Sequence, residues 1–129
     1  MEKVLVGYYI DSHVHFELQH KKIIRFDSKG KQLRCFVLRE TMMRLFIYLL
    51  ENASDNIVTN EQILYNVWDI YGLKSSSQRL WQVMQALKYR LAVLNVPHDF
   101  IMRVDTFEVK GYCLKKDMIR PLYFFTSDV

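Results

Sequence analysis

A chain of 129 residues, half of them hydrophobic, has the length of one domain and the apolar content for one core. Its 4 glycines and 2 prolines exclude a low-complexity or disordered chain. The 18 Lys and Arg against 14 Asp and Glu leave a net charge of +4, which permits a polyanionic partner without requiring one.

The first third reads as strands. Val4 to Ile10 is β-branched and aromatic, and His13 to Leu18 alternates with Val14, Phe16 and Leu18 on one face. Lys22 to Phe26 and Gln32 to Leu38 follow, joined by Asp27-Ser28-Lys29-Gly30, a hairpin turn by composition. From Arg39 to Asn52 the period changes: Met42, Leu45, Phe46, Leu49 and Leu50 recur at three and four, the pattern of an amphipathic helix. A second helix begins after Thr59, where Thr59-Asn60-Glu61-Gln62 matches a capping box and Val58 and Ile63 stand where a hydrophobic staple packs. Its buried stripe is Ile63, Leu64, Val67 and Trp68, and it ends near Asp69. A third helix starts after Ser75-Ser76-Ser77, any of which could cap it; Ser75 with Gln78 forms a candidate box. Leu80, Met84, Leu87, Leu91 and Leu94 make its buried stripe, with Gln78, Gln82, Gln85 and Tyr89 opposite. Phe100 to Val104 and Val109 to Leu114 form a last hairpin with Asp105 to Glu108 at its tip.

The expectation is therefore an α+β fold. It is one domain over residues 1–129, with an N-terminal antiparallel sheet (1–38), a three-helix core (39–96), a C-terminal β-hairpin (98–115) and an extension (116–129). That extension, Met118 to Phe125, is apolar but too short to span a bilayer. It is either a packed addition or the approach to a membrane segment beyond it. The opening MEKVLVGYYID lacks the apolar core and cleavage site of a signal peptide. The expected location is the cytoplasm, with the cytoplasmic part of a membrane-anchored regulator as the other reading.

Three helices followed by a β-hairpin describe a winged helix-turn-helix, and particular residues go further. Leu38 and Leu45 to Leu50 sit at and before the first helix. Val58-Thr59-Asn60-Glu61-Gln62-Ile63-Leu64 with Val67-Trp68 resembles V-S-x-E-x-L…VW, and Leu80, Met84, Leu87-Lys88 and Leu91 are similar to V…I..LR..L. Ile101, Val104 and Gly111-Tyr112-Cys113-Leu114 are similar to I-x-T-V…G-Y-x-L. From Leu38 to Leu114 the chain thus resembles the OmpR/PhoB-type effector domain of bacterial response regulators and of membrane-anchored regulators of the ToxR/CadC kind. The resemblance implies a transcription regulator whose third helix enters the major groove of promoter DNA while the hairpin, as a wing, lies on the flanking backbone or minor groove. It also implies self-association and a contact with RNA polymerase through the 69–74 loop. The chain departs from the family pattern at Arg39, where Ser or Thr is usual. It departs again in the glutamine-rich third helix and in the longer wing tip with Asp105 and Glu108.

A helix in the major groove reads base edges with its outer side chains; Gln matches adenine and Arg or Lys matches guanine. The candidate base readers are Gln78, Arg79, Gln82 and Gln85. Lys88 and Arg90 suit phosphate, as does Lys110 on the return strand of the wing, with Arg103 as a second. Trp68 aligns with a core position, whereas Trp81 and Tyr89 fit either packing or DNA. A second reading keeps the fold and changes the partner: a winged-helix protein–protein module that binds no DNA.

Enzymatic readings find little. There is no G-x-S-x-G, no phosphate-binding glycine loop and no motif around Cys35 or Cys113. Neither cysteine belongs to a metal or redox pair, and both read as small apolar strand residues. His13 and His15 share a strand face, but no further ligand has a supporting spacing. The expectation is no catalysis, no metal, no cofactor and no small-molecule substrate.

Overall fold

The computed structural model describes residues 2–127. The fold is α+β, with three α-helices and antiparallel sheets among the described residues. The chain divides into two compact units, Met1–Leu38 with Asp117–Val129, and Arg39–Lys116.

The first unit is a five-stranded antiparallel sheet in the order β4-β3-β2-β1-β8. Its strands are β1 (Glu2–Ile10), β2 (Val14–Glu17), β3 (Lys22–Phe26), β4 (Gln32–Val37) and β8 (Ile119–Thr126). Register carries the alternation across the sheet: Tyr8 faces Phe16, Ile10 faces Val14, and Phe16 faces Ile23. These five side chains share one face and all are buried. Between β3 and β4 the Asp27 carboxylate accepts from the Lys29 and Lys31 N–H groups at 2.9 and 2.8 Å. Gly30 takes the positive φ of 80° that closes this turn. The apolar stretch Met118 to Phe125 of the extension is thus no appendage. Its strand β8 pairs antiparallel with β1, from Ile119 opposite Ile10 to Thr126 opposite Glu2, with a bulge at Val6.

The second unit holds the helices. α1 (Glu40–Asn52) buries Met42, Met43, Leu45, Phe46, Leu49 and Leu50, and it packs on both α2 (Asn60–Val67) and α3 (Ser77–Val93). The capping box read from Thr59 is present: Thr59 Oγ1 accepts from Gln62 N–H at 3.1 Å, and Gln62 Oε1 accepts from Thr59 N–H at 2.9 Å. At α3 the cap is Ser76, whose hydroxyl accepts from Arg79 N–H at 3.0 Å; the Ser75–Gln78 box does not form. α2 gives way to a 3-10 turn, Asp69–Tyr71, closed by Gly72 in the left-handed region.

A three-stranded antiparallel sheet completes the unit, in the order β5-β7-β6, with β5 (Val58–Thr59), β6 (Ile101–Asp105) and β7 (Lys110–Leu114). The two-residue β5 was not foreseen, because Val58 and Thr59 read as the staple and cap of α2. They serve both purposes, pairing with Tyr112 and Gly111. Leu64, placed in the buried stripe of the second helix, is half-exposed. Among the described residues no helix is long and apolar enough to cross a membrane.

Candidate nucleic-acid interface

α3 is a 17-residue helix without an aspartate or glutamate. Leu80, Met84, Leu87 and Leu91 form the stripe that faces the core. At 3.6 residues per turn, Gln78, Gln82, Gln85 and Tyr89 then fall on the opposite side, and all four are exposed, as are Arg79 and Trp81 at the flanks. The three glutamine side chains make no hydrogen bond within the described residues, so their amide donors and acceptors point to solvent. An amide that presents one donor and one acceptor outward can pair with any edge that offers the complement.

The two cations assigned to phosphate on this helix differ in placement. Lys88 is half-buried on the flank that faces the β6–β7 hairpin, its ammonium 5.8 Å from the centre of the Tyr112 ring. Burial holds its pKa below the usual lysine range, and the positive charge of Arg103 adds to the effect. Burial likewise pushes the Tyr112 hydroxyl up, against a smaller opposing effect of Arg103. Arg103 lies opposite Tyr112 in the hairpin register. Helix and hairpin thus bring two cations to one seam, with an aromatic ring beneath. An anion at that seam would relieve the repulsion between them. Arg90 turns the other way. Its guanidinium reaches the Ala86 carbonyl at 3.4 Å and the Met42 sulfur at 3.6 Å. It is therefore a tie between α3 and α1, and it stands apart from the glutamine face.

The hairpin tip is closed by hydrogen bonds between Thr106 and Val109. Thr106 N–H donates to the Val109 carbonyl at 2.8 Å, and Thr106 Oγ1 accepts from Val109 N–H at 3.0 Å. This lock leaves Phe107 fully exposed. Lys110 is exposed and opposite Asp105 in the register, while Asp105 pairs with Arg103 at 3.3 Å. An ion pair this exposed contributes little, so Arg103 remains available to another anion. The seam of Lys88, Arg103 and Tyr112 escaped the sequence reading as a unit, because the hairpin register that aligns Arg103 with Tyr112 is not visible in spacing along the chain.

Among the described residues the strand histidines do not converge on other ligands. His13 is exposed, and the His15 ring lies 5.3 Å from that of Tyr9, its pKa lowered by burial against the smaller raising effect of Glu17. Cys35 and Cys113 are half-buried free thiols. No protein-family model matches the chain, and no curated protein matches it.

Proposed function

We propose that this protein is a sequence-specific, DNA-binding regulator of transcription of the winged-helix kind. On this reading α3 enters the major groove, and the β6–β7 hairpin is the wing on the flanking backbone or minor groove. The observation that carries the reading is the outer face of α3: an acid-free helix whose glutamines are exposed and unbonded, flanked by Arg79 on one side and the Lys88–Arg103 seam on the other. Gln78, Arg79, Gln82 and Gln85 would read bases; Lys88, Arg103 and Lys110 would meet phosphate. Arg90 lies outside this contact set, since its guanidinium reaches back to Met42 on α1. The likeness to OmpR/PhoB-type effector domains supports the same assignment, with promoter DNA as partner and the cytoplasm as location.

Binding measured as a function of salt tests the proposal. The logarithm of the affinity should fall with the logarithm of salt, at about −0.9 per phosphate contacted. No retardation of any duplex at low salt would sink the reading. Once a preferred site has been selected from a random DNA pool, Gln82→Ala and Arg79→Ala should each cost about 1–3 kcal/mol on that site and relax preference at particular base pairs. Both side chains are exposed, so neither variant should shift the melting temperature. Unchanged binding by both would leave the glutamine face as plain solvated surface.

A second reading has its own observation. Ile70, Tyr71 and Leu73, between α2 and α3, are exposed at 52%, 55% and 40%, with Trp81 at 52% nearby in sequence. Such apolar exposure suits a protein partner. RNA polymerase at the 69–74 loop is compatible with DNA binding; a protein-interaction module without DNA is the exclusive alternative. The salt titration separates them.

A further inference from the structure

We infer that β8 is a dimerisation strand: two copies of the chain join edge to edge, β8 against β8 about a two-fold axis at Phe124. The inference concerns the sheet of the first unit and stands independently of the DNA-binding reading.

The sheet order leaves β8 and β4 as its edges. An edge strand presents a row of unpaired backbone N–H and C=O groups, a template for another strand unless charge, proline or a bulge blocks it. β4 is guarded in this way: Arg34 lies within it and Lys29 and Lys31 just precede it. β8 is guarded in this way only at its start, by Arg120 and Pro121. From Leu122 to Thr126 it carries neither charge nor proline, and Tyr123, Phe124 and Phe125 are exposed at 41%, 60% and 58%. Consecutive residues alternate between the faces of a strand, so this exposure falls on both faces, as expected of an edge that lacks its neighbour.

The direction of the free groups follows from the hydrogen bonds around β1. Asp11 N–H donates to the Met118 carbonyl at 2.9 Å, so residue 118 turns its backbone towards β1. Leu18 N–H donates to the Val6 carbonyl at 3.1 Å, which turns Val6 towards β2 and leaves Gly7 to bond its register partner Leu122. Even-numbered residues of β8 therefore bond inward, and Pro121, Tyr123 and Phe125 turn their backbone polar groups outward. Pro121 fits this parity, since a proline is tolerated where its missing N–H would have faced away from the sheet.

Outward bonding by odd residues limits the antiparallel registers. A two-fold axis at Tyr123 would set Pro121 opposite Phe125 in a hydrogen-bonding pair and lose a donor twice within the strand, whereas an axis at Phe124 moves that loss to the pair with residue 127, beyond the end of β8. An axis at Phe124 makes Tyr123 and Phe125 of opposite copies exchange both N–H and C=O bonds. It also brings Phe124 against Phe124 of the second copy in a non-hydrogen-bonded pair, where side chains approach most closely. Aromatic then faces aromatic on both sheet faces, with no like charges opposed. A C2 contact of this kind needs one strand that complements itself, and this register supplies it.

Cysteine cross-linking tests the register directly. In a full-length chain with Cys35→Ser and Cys113→Ala, Phe124→Cys should form a covalent dimer under mild oxidation. Non-hydrogen-bonded partners have Cα atoms about 4.5 Å apart, within disulfide reach. Leu122→Cys, whose partner in this register is residue 126, should stay monomeric. Sedimentation of the unmodified chain should show a concentration-dependent dimer. Tyr123→Pro, which removes an outward N–H and leaves the bonds to β1, should shift it to monomer with the same circular dichroism spectrum. Should Tyr123→Pro fail to fold, the paired cysteine variants still decide. A monomer at every concentration, or equal cross-linking at 122 and 124, overturns the inference. None of these measurements contains DNA, so their failure leaves the proposed function to the salt titration.

Discussion

Trp68→Ala should destabilise the protein by about 3–5 kcal/mol in denaturant titrations, the usual cost of emptying the site of a large buried aromatic. Trp68 is 1% exposed and ranks among the largest fully buried side chains. Its backbone does as much as its ring. The N–H closes α2 on the Leu64 carbonyl at 3.1 Å, and its carbonyl accepts from both Tyr71 and Leu73 N–H at 3.1 Å. The ring therefore anchors the point where α2 turns towards α3. Loss of the ring should loosen that turn as well as the core, so that, on the proposed function, the DNA affinity of α3 should fall with stability. Trp68→Phe discriminates between volume and polarity. The indole N–H is buried without an acceptor within the described residues, and an unsatisfied buried donor is a cost to folding. Phe removes that donor and retains most of the apolar volume, so its loss should be well below that of Ala. Equal losses for the two variants would mean that the indole N–H is engaged.

The difference between what periodicity revealed and what it hid has a physical basis. The stripe Leu80, Met84, Leu87 and Leu91 was legible because burial repeats with the helical turn, and the Thr59 cap because both its hydrogen bonds span only three residues. β8 was not legible as part of the N-terminal sheet. Its partner β1 lies more than a hundred residues away in the chain, and IRPLYFFT does not alternate cleanly because an edge strand buries little on either face. Arg90 illustrates a different limit. Helical phase puts it at the flank of α3, where an arginine can serve solvent, phosphate or a neighbouring helix. The Met42 sulfur that engages it lies 48 residues away, beyond any local pattern. Lys88 stands out in the sequence for its charge, but Tyr112 and Arg103 on the hairpin also shape its environment. Local rules found the elements and the outer face of α3; pairing between distant segments decided which cations remain on that face.

Gly111→Ala should be as damaging as a core truncation, although it adds one methyl group. β7 crosses β5 so closely that a Cβ on Gly111 would lie 2.0 Å from the Val58 carbonyl oxygen and 2.9 Å from the Thr59 Cα. Both contacts are with backbone, so no side chain can swing aside. The strands would have to part, breaking the Val58–Tyr112 and Thr59–Gly111 pairings. Overpacking of this kind costs about 3 kcal/mol at the upper end of its range. The consequences would spread along three routes. Thr59 caps α2, so a shift of β5 disturbs the capping box. Tyr112 is buried at 3% and lies under Lys88, so its displacement opens the seam between α3 and the hairpin. Lys110, the adjacent residue, would move with the strand. Thermal melting should therefore drop; on the proposed function, DNA affinity should fall for all duplexes alike, because the displaced groups are those proposed to meet phosphate. Lys110→Ala is the control: its side chain is exposed and the substitution keeps its strand backbone, so it should leave the melting temperature unchanged while, on the proposed function, reducing the salt slope by about one counterion. A loss under about 0.5 kcal/mol for Gly111→Ala, the range of an ordinary surface change, would show that β5 and β7 do not approach as described. The glycine of the Gly-Tyr pair would then need another explanation.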